Sequence, residues 1–578
     1  MNRRPIHEKP AIPPEARILL SCRFVCGIDL WRRIGFWLLS SSSAQSEFRP
    51  SGGLGRQVIE FFVCLALAVI LFKAFLIEGY VITTGSMAPT LLGYHKQINC
   101  PSCSYEFALG ISNGQAPERA VCPNCDFAGI ETSSLMFNDG DQVLVSKSTY
   151  SVRWPKRWEV AVFRNPNDTS EAYVKRIVGL PGEQIQVRRG DVFVNGQIAR
   201  KSLDVQRGLR ILVHDHAHQP AANESADWQP RWTGEQPWWQ PLAVGFAVDT
   251  RPEKDRAAQW AWLTYRHWIR RGGKHSTRLK LAQWPAAAPF PSPSFDPVYY
   301  DEQSSELVCR GAMTDETRER LMGTSKERKF QAAIEQLHTE SHIAPLTDFY
   351  AYNRQIPGNG DSAVVRDLMV VTKVDFKAGQ GEFRIEMNDG SEVYAWVFDT
   401  RQQQIRLHMR GSSAPVRTAP LPAKFAREAA LLEMSLFDRQ VMCAVDGDLV
   451  FEPWELPPAP RGKPAPRRQV RLGANGIRLH VLSLQVFRDV YYTADGNADM
   501  KTWELSNQAN QEEFFVLGDN SPISVDSRLW GPEIVLTSQL LMGKPFLVHL
   551  PSRTAQLKLG NWQGRLRVPD FSRIRYIR

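Results

Sequence analysis

Ser86 lies in the stretch Thr83-Thr-Gly-Ser-Met-Ala-Pro-Thr90. This small, glycine-softened, proline-locked segment offers one hydroxyl for nucleophilic attack. Such a hydroxyl is weak at neutral pH and needs a base. The nearest histidine, His95, has no acid patterned with it. A lysine can serve instead, provided that burial or a nearby cation brings its ordinary pKa of about 10.4 down far enough to leave the amine neutral. Lys175, in Tyr173-Val-Lys-Arg-Ile-Val178, suits that demand. On a strand it shares a face with Tyr173 and Ile177, while Arg176 points the other way or adds a charge that disfavours protonation. A third polar cluster runs from Leu517-Gly-Asp-Asn520 to Ser524-Val-Asp-Ser-Arg528. Asp526 and Arg528 share a face of an extended chain and can pair, and Ser524 can hydrogen-bond a neutral amine. Taken singly, Lys175 reads first as a snorkelling strand lysine, and Asp526 with Arg528 as a surface ion pair worth about 0–1 kcal/mol.

Four cysteines carry a different chemistry. Cys100-Pro-Ser-Cys103 and Cys122-Pro-Asn-Cys125, 18 residues apart, have the spacing of a zinc ribbon, in which four thiolates close a structural site and leave no position for catalysis. One or two disulfides are the alternative in an external compartment. The other five of the nine cysteines are scattered. The odd total argues against a fully cross-linked secreted protein.

These groups need elements to hold them. Val58 to Ile77 is an apolar run with only Glu60 and Lys73 as charges, long enough for a hydrocarbon core of about 30 Å. Residues 1–56 hold nine Lys/Arg against four Asp/Glu, which places that end inside. Short strands are expected at Gln142–Ser146, Glu159–Phe163, Tyr173–Val178 and Gln184–Arg188, with a hairpin turn at Asn195-Gly196. After residue 206 the texture changes. Seven of the 17 tryptophans fall between Trp228 and Trp268. Period-two runs with Asp-Gly turns at Asp389 and Asp446 predict an antiparallel β-sandwich, interrupted by a helix over Thr314–Leu337.

A spanning helix is followed in order by Ser86-Met-Ala-Pro-Thr90, Gly140-Asp-Gln-Val-Leu-Val-Ser-Lys147, Tyr173-Val-Lys-Arg-Ile-Val-Gly-Leu-Pro-Gly-Glu183 and Gly518-Asp-Asn520 with Ser524-Val-Asp-Ser-Arg-Leu-Trp-Gly531. This combination closely resembles the type I signal peptidases of bacteria, over roughly residues 57–200 and 511–550. The resemblance implies that Ser86 attacks the scissile carbonyl and that Lys175 is the general base. It implies an oxyanion hole from the Ser86 N–H and the Thr84 hydroxyl. It also implies that Ser524 orients Lys175, that Asp526 and Arg528 buttress the site, and that Met87 and Pro89 line the substrate sites. Catalysis would need no cofactor. Glu183 stands where the family usually has Asp, and threonine at position 84 replaces the commoner serine.

Two departures remain. The cysteine pairs fall where the family has a short connection, and about 330 residues separate Glu183 from Leu517. The later texture resembles laminin-G-like or concanavalin-like jelly rolls, whose ligands are glycans or proteins; the tryptophans are then sugar platforms or, more ordinarily, core. The expected fold is mainly β. It has a cytoplasmic irregular segment (1–56), one transmembrane helix (57–78), a catalytic core in two parts (79–205 and 495–550), a zinc-ribbon-like insert (98–128), an inserted sandwich (206–494) and a basic tail (551–578), read as a surface strand or arm near lipid or, preferably, as a solvated end. The expected function is a single-pass serine endopeptidase of the inner membrane. Its catalytic part lies outside, and its partners are signal-peptide-bearing preproteins and the bilayer. A net charge of +9 is modest for this length and does not call for nucleic acid. The competing function is a peptidase-like scaffold that binds through its sandwich.

Overall fold

The computed structural model describes residues 54–111, 114–221, 228–235, 237–252, 259–270, 276–285, 297–353, 363–412, 414–458, 466–493, 501–531, 534–559 and 562–577. The expected irregular segment 1–56 therefore lies outside the described residues but for its last three. Residues up to Ile70 and residues from Leu71 onward form two compact units.

The apolar run is helical over Leu54–Phe75, not over 57–78. It stops there because the next residues are taken by a sheet: Ile77–Val81 pairs antiparallel with Gln142–Ser146, Ile77 opposite Ser146. Large apolar side chains along the helix are bare, Phe61 at 63% and Ile70 at 60%. The side chains of Leu54, Ala68, Leu71, Phe72, Ala74 and Phe75 are outside the described set. Among the described residues no helix is long and apolar enough to cross a membrane.

Among the described residues, the sheet that carries Lys175 has eight strands. Its order is Ile77–Val81, Gln142–Ser146, Leu541–Val548, Val160–Asn165, Asp168–Gly179, Glu513–Leu517 and Leu536–Thr537, with Arg575–Tyr576 added to Leu541–Val548. Strands from before and after the long insertion interleave, so neither part completes the sheet alone. Alternation explains Gln142–Ser146, the second strand: Val143 and Val145 are buried, their neighbours half-buried. Val160–Asn165 lies in the middle and is buried on both faces apart from Arg164, as a near-continuous apolar run should be. The expected hairpin turn forms at Asn195 and Gly196, with φ of 51° and 81°.

Among the described residues, the sandwich part of the insertion is one continuous sheet of 14 strands instead of two separate sheets. Leu368–Asn388 and Val470–Arg488 form its spine, paired from Leu368 opposite Arg488 to Met387 opposite Val470. Register shifts at Lys373/Val374, Phe376/Ala378 and Gly379/Glu382 bend the spine. One half of Leu368–Asn388 pairs with Ala430–Phe437 and the other with Val393–Asp399. A single apolar core takes side chains from both halves, Trp396 and Met434 among them. Trp232, Trp239 and Trp268 are core residues. Trp260 and Trp262 stack on each other and carry Arg384 and Arg471 over their rings, so both rings are already engaged.

The single helix expected over Thr314–Leu337 is two. Thr314 caps Asp315–Thr324 by accepting from the Thr317 N–H at 3.2 Å. Ser325 is extended, and a second helix runs over Arg328–Ser341. They share a core of their own with the small sheet of Ser276–Lys280, Val298–Asp301 and Glu306–Arg310. The tail is not a solvated end. Ser552–Leu559 and Trp562–Pro569 form a hairpin, Arg575–Tyr576 rejoins the eight-stranded sheet, and Ile577 is buried in its core.

Candidate active site

Ser86 is the middle residue of a 3-10 turn, Gly85–Met87. Met87, at 1% exposure, fills the core with Ile82, Leu91, Val143 and Val145. It anchors the turn and leaves Ser86 half-exposed. The expectation that Met87 lines a substrate site meets this burial: its side chain packs inward. Pro89 is half-buried. The Thr84 hydroxyl lies 3.4 Å from Ser86 Oγ.

Lys175 sits on Asp168–Gly179, opposite Ala161, and this strand packs against the Ser86 turn. Its side chain is 4% exposed, and its Nζ lies 5.7 Å from the Tyr173 ring centroid. Among the described residues it has no hydrogen-bond or ion-pair partner. Its pKa is pulled down to about 8. Burial is the largest cause; Asp526 opposes it, Arg528 adds to the lowering and Asp519 opposes again. The extra cation is therefore Arg528 rather than Arg176. Arg176 is turned away and neutralised: its Nε and Nη2 donate to the two oxygens of Asp519, each at 2.7 Å, and its Nη1 to the Trp158 carbonyl at 2.5 Å.

Residues 517–528 wrap this pair. Arg528 donates to both Asp526 oxygens at 2.9 and 2.8 Å, and to Ser521 Oγ and the Thr493 carbonyl. Asp526, fully buried, also accepts the Gly518 N–H at 2.9 Å. Ser524 Oγ is buried without a hydrogen-bond partner among the described residues. A Cβ on Gly518 would stand 2.2 Å from Ser524 Oγ and 2.5 Å from the Ser86 carbonyl, so only glycine lets these two segments meet. Asn520 closes the contact: its N–H donates to the Ser86 carbonyl at 3.0 Å and its Nδ2 to the Gly85 carbonyl at 2.9 Å. Glu183 reaches Arg157 with both oxygens and caps its own turn at the Leu180 N–H.

The structure thus brings Ser86, Thr84, Lys175, Ser524, Asp526 and Arg528 into one region. Asp519 and Asn520 were legible only as a tight turn. A carboxylate beside a motif containing a buried arginine was the available signal for Asp519. Asp519→Ala is expected to cost about 3–5 kcal/mol, because it strands a buried guanidinium, whereas removing both charges as Arg176→Met with Asp519→Leu should cost much less. Denaturant midpoints of the two variants check this.

The four cysteines converge. Cys100 and Cys125, and Cys103 and Cys122, have Sγ atoms 3.7 Å apart, and all four lie within 4.8 Å of one another. A disulfide needs about 2.05 Å, so no pair is bridged. Thiolates about 2.3 Å from a tetrahedral zinc ion are about 3.8 Å apart, and the observed spacing fits. Two matching knuckles support it: the Ser104 and Asp126 N–H groups donate to the Cys100 and Cys122 carbonyls, each at 2.9 Å, and both residues have φ of 58°.

Residues 127–234 match the family model described as Signal peptidase, peptidase S26. Signal peptidase I of Rickettsia typhi is 30% identical over 135 residues, covering 23% of this chain and 40% of that protein. The probable signal peptidase I-2 of a Synechocystis strain is 41% identical over 64 residues, covering 10% of this chain and 29% of that one. The chain thus spans about two fifths of the length of the first of these relatives. Among solved structures, a carbohydrate-binding module from Bacillus subtilis matches at 12% identity, covering 21% of this chain and 74% of that one, with a TM-score of 0.17. A galectin from Caenorhabditis elegans matches at 11% identity, 21% and 81% coverage, and a TM-score of 0.17. Residues 127–234, which carry Lys175, match the peptidase S26 family model, and part of the chain is similar to bacterial signal peptidase I.

Proposed function

We propose that the protein is a membrane-anchored serine endopeptidase that cleaves signal peptides from exported preproteins. The observation that carries this reading is Lys175, a buried amine with a pKa near 8, on a strand packed against the Ser86 turn and within the peptidase S26 match. The neutral Nζ takes the proton of Ser86 Oγ as the oxygen attacks the scissile carbonyl. The oxyanion that forms accepts hydrogen bonds from the Ser86 N–H and the Thr84 hydroxyl. The C–N bond then breaks, and the lysine proton goes to the leaving amine. A water, deprotonated by the same amine, releases the acyl group and restores Ser86. Ser524, whose buried hydroxyl has no described hydrogen-bond partner, is the group assigned to orient the neutral amine once substrate is in place.

Ile77–Val81 is an edge of the catalytic sheet. An extended substrate can add there as a strand and present alternate side chains to the site, which suits the small residues at alternate positions before a signal-peptide cleavage site. The apolar run Val58–Ile77 is taken as the anchor from its sequence alone, with the basic N-terminal side in the cytoplasm. Incubating the membrane-inserted protein with a preprotein carrying an A-x-A site tests the reading. Product masses showing cleavage after the second small residue support it, and intact substrate across several preproteins refutes it.

The cysteine cluster holds one structural zinc ion, whose role is to fix the ribbon. Purified protein is expected to contain one zinc per chain, and cobalt substitution to give thiolate charge-transfer absorption. Cys103→Ser should lose the metal and lower the unfolding midpoint. A metal-free protein with four titratable thiols would sink this assignment.

A further inference from the structure

The insertion reaches the nucleophile. Its short turn Ala351–Asn353 lies between the cysteine ribbon and the Ser86 turn. On the ribbon side, Ala351 is buried in the ribbon's core and Phe349 packs against it. On the other side stands Tyr352, 2% exposed. A Cβ on Gly85 would lie 2.3 Å from its ring, and one on Gly110 of the ribbon strand 2.4 Å from it. The ring is wedged between two glycines, one in each segment, and its hydroxyl donates to the Tyr94 carbonyl at 3.3 Å. The side chain of Asn353 then forms a reciprocal amide pair with Asn520, both bonds at 2.6 Å. Asn520 is the residue that holds the Gly85 and Ser86 carbonyls.

We propose that Phe349–Asn353 is a positioning hook: through Tyr352 and Asn353, the insertion and the ribbon hold the Ser86 turn in register with Lys175. The inference rests on the peptidase reading for its catalytic consequence but not for its structural one. Asn520 can fix the two carbonyls only if its own amide plane is fixed. Asn353 does this by occupying its remaining oxygen and sharing its amide hydrogens. Among the described residues neither Tyr352 nor Asn353 hydrogen-bonds Lys175, so the hook acts on where the hydroxyl stands and not on the base. Small displacements of a nucleophile are costly; about 1 Å can lose about a hundredfold in rate.

The full chain in detergent tests the hook with two readouts. With a preprotein substrate, Asn353→Ala is expected to lower kcat about tenfold, leave KM within about twofold and leave the pH midpoint of activity unmoved. Tyr352→Phe, which keeps the wedge, should stay near wild type. Hydrogen–deuterium exchange should quicken at the Ala88 and Leu91 amides of Asn353→Ala and stay unchanged in Asp168–Gly179. An unchanged kcat in Asn353→Ala, or faster exchange throughout with a lowered unfolding midpoint, would overturn the proposal. If the wild type cleaves nothing, the peptidase reading fails on its own, and local against unchanged exchange still decides whether the hook holds the turn.

Discussion

Ser86→Ala is expected to lower preprotein cleavage by about ten-thousandfold or more while leaving the unfolding midpoint where it was. The hydroxyl is half-exposed, and the turn that carries it is anchored by Met87 and by the two carbonyls on Asn520. Removing one oxygen therefore creates no core cavity and breaks no contact that holds the fold. The chemical loss is complete because no second nucleophile takes over: Thr84 Oγ1 lies 3.4 Å away but belongs to the oxyanion side. Groups that act as a unit are not additive. Ser86→Ala combined with Lys175→Met should consequently be no slower than either alone. Single-turnover assays on membrane-inserted protein, with product masses read, check both statements. Residual cleavage at the same bond within tenfold of wild type would place the nucleophile elsewhere.

The candidate site was legible in the sequence because each of its groups sits in a local motif. Ser86, Lys175 and the run Gly518–Arg528 each sit in a short motif whose residue types fit one job, and strand alternation alone turned Lys175 toward Tyr173 and Arg176 away. What alternation could not supply is what neutralises a side chain that has been turned away. The partner of Arg176 is Asp519, 343 residues on, and only the closed sheet brings them together. Asn353 illustrates the same limit more sharply. It stands in a stretch with no motif, and its role exists only because the ribbon and the insertion trap one turn between them. The insertion itself was legible as antiparallel β from its Asp-Gly turns. Its two spine strands are 21 and 19 residues long and change partners at bulges, and a bulge leaves no periodic mark that a reading of alternation can find. The break at Ser325, which splits one helix into two, falls after a Gly-Thr-Ser run of poor helix formers. That signal was present, but it is weak beside the apolar spacing on either side.

Lys175→Met is expected to abolish activity and at the same time make the protein more stable near pH 6.5. The folded-state pKa is about 8 against an ordinary 10.5. Below pH 8 the amine is charged in both the folded and the unfolded chain, and the full penalty of burying that charge, roughly 3 kcal/mol, falls on the native state. Between about pH 8 and 10.5 the unfolded chain binds the proton and the folded one does not, so this residue's contribution makes stability rise with pH across that window. Methionine has a similar length and no charge. The variant should therefore be more stable than wild type by about 2–3 kcal/mol at pH 6.5, and the advantage should fade as pH climbs from 8 to 10.5. Wild-type activity has the matching profile: cleavage rises about tenfold per pH unit below 8 and levels off above it, since only the neutral amine can accept the Ser86 proton. Denaturant unfolding of the full chain in detergent, measured on both proteins at each pH, isolates Lys175, because every other titrating group is common to the pair. A variant no more stable than wild type at pH 6.5, or a difference that does not change between pH 8 and 10.5, would mean that the buried amine is not held against its charge. The base would then have to be sought away from Lys175.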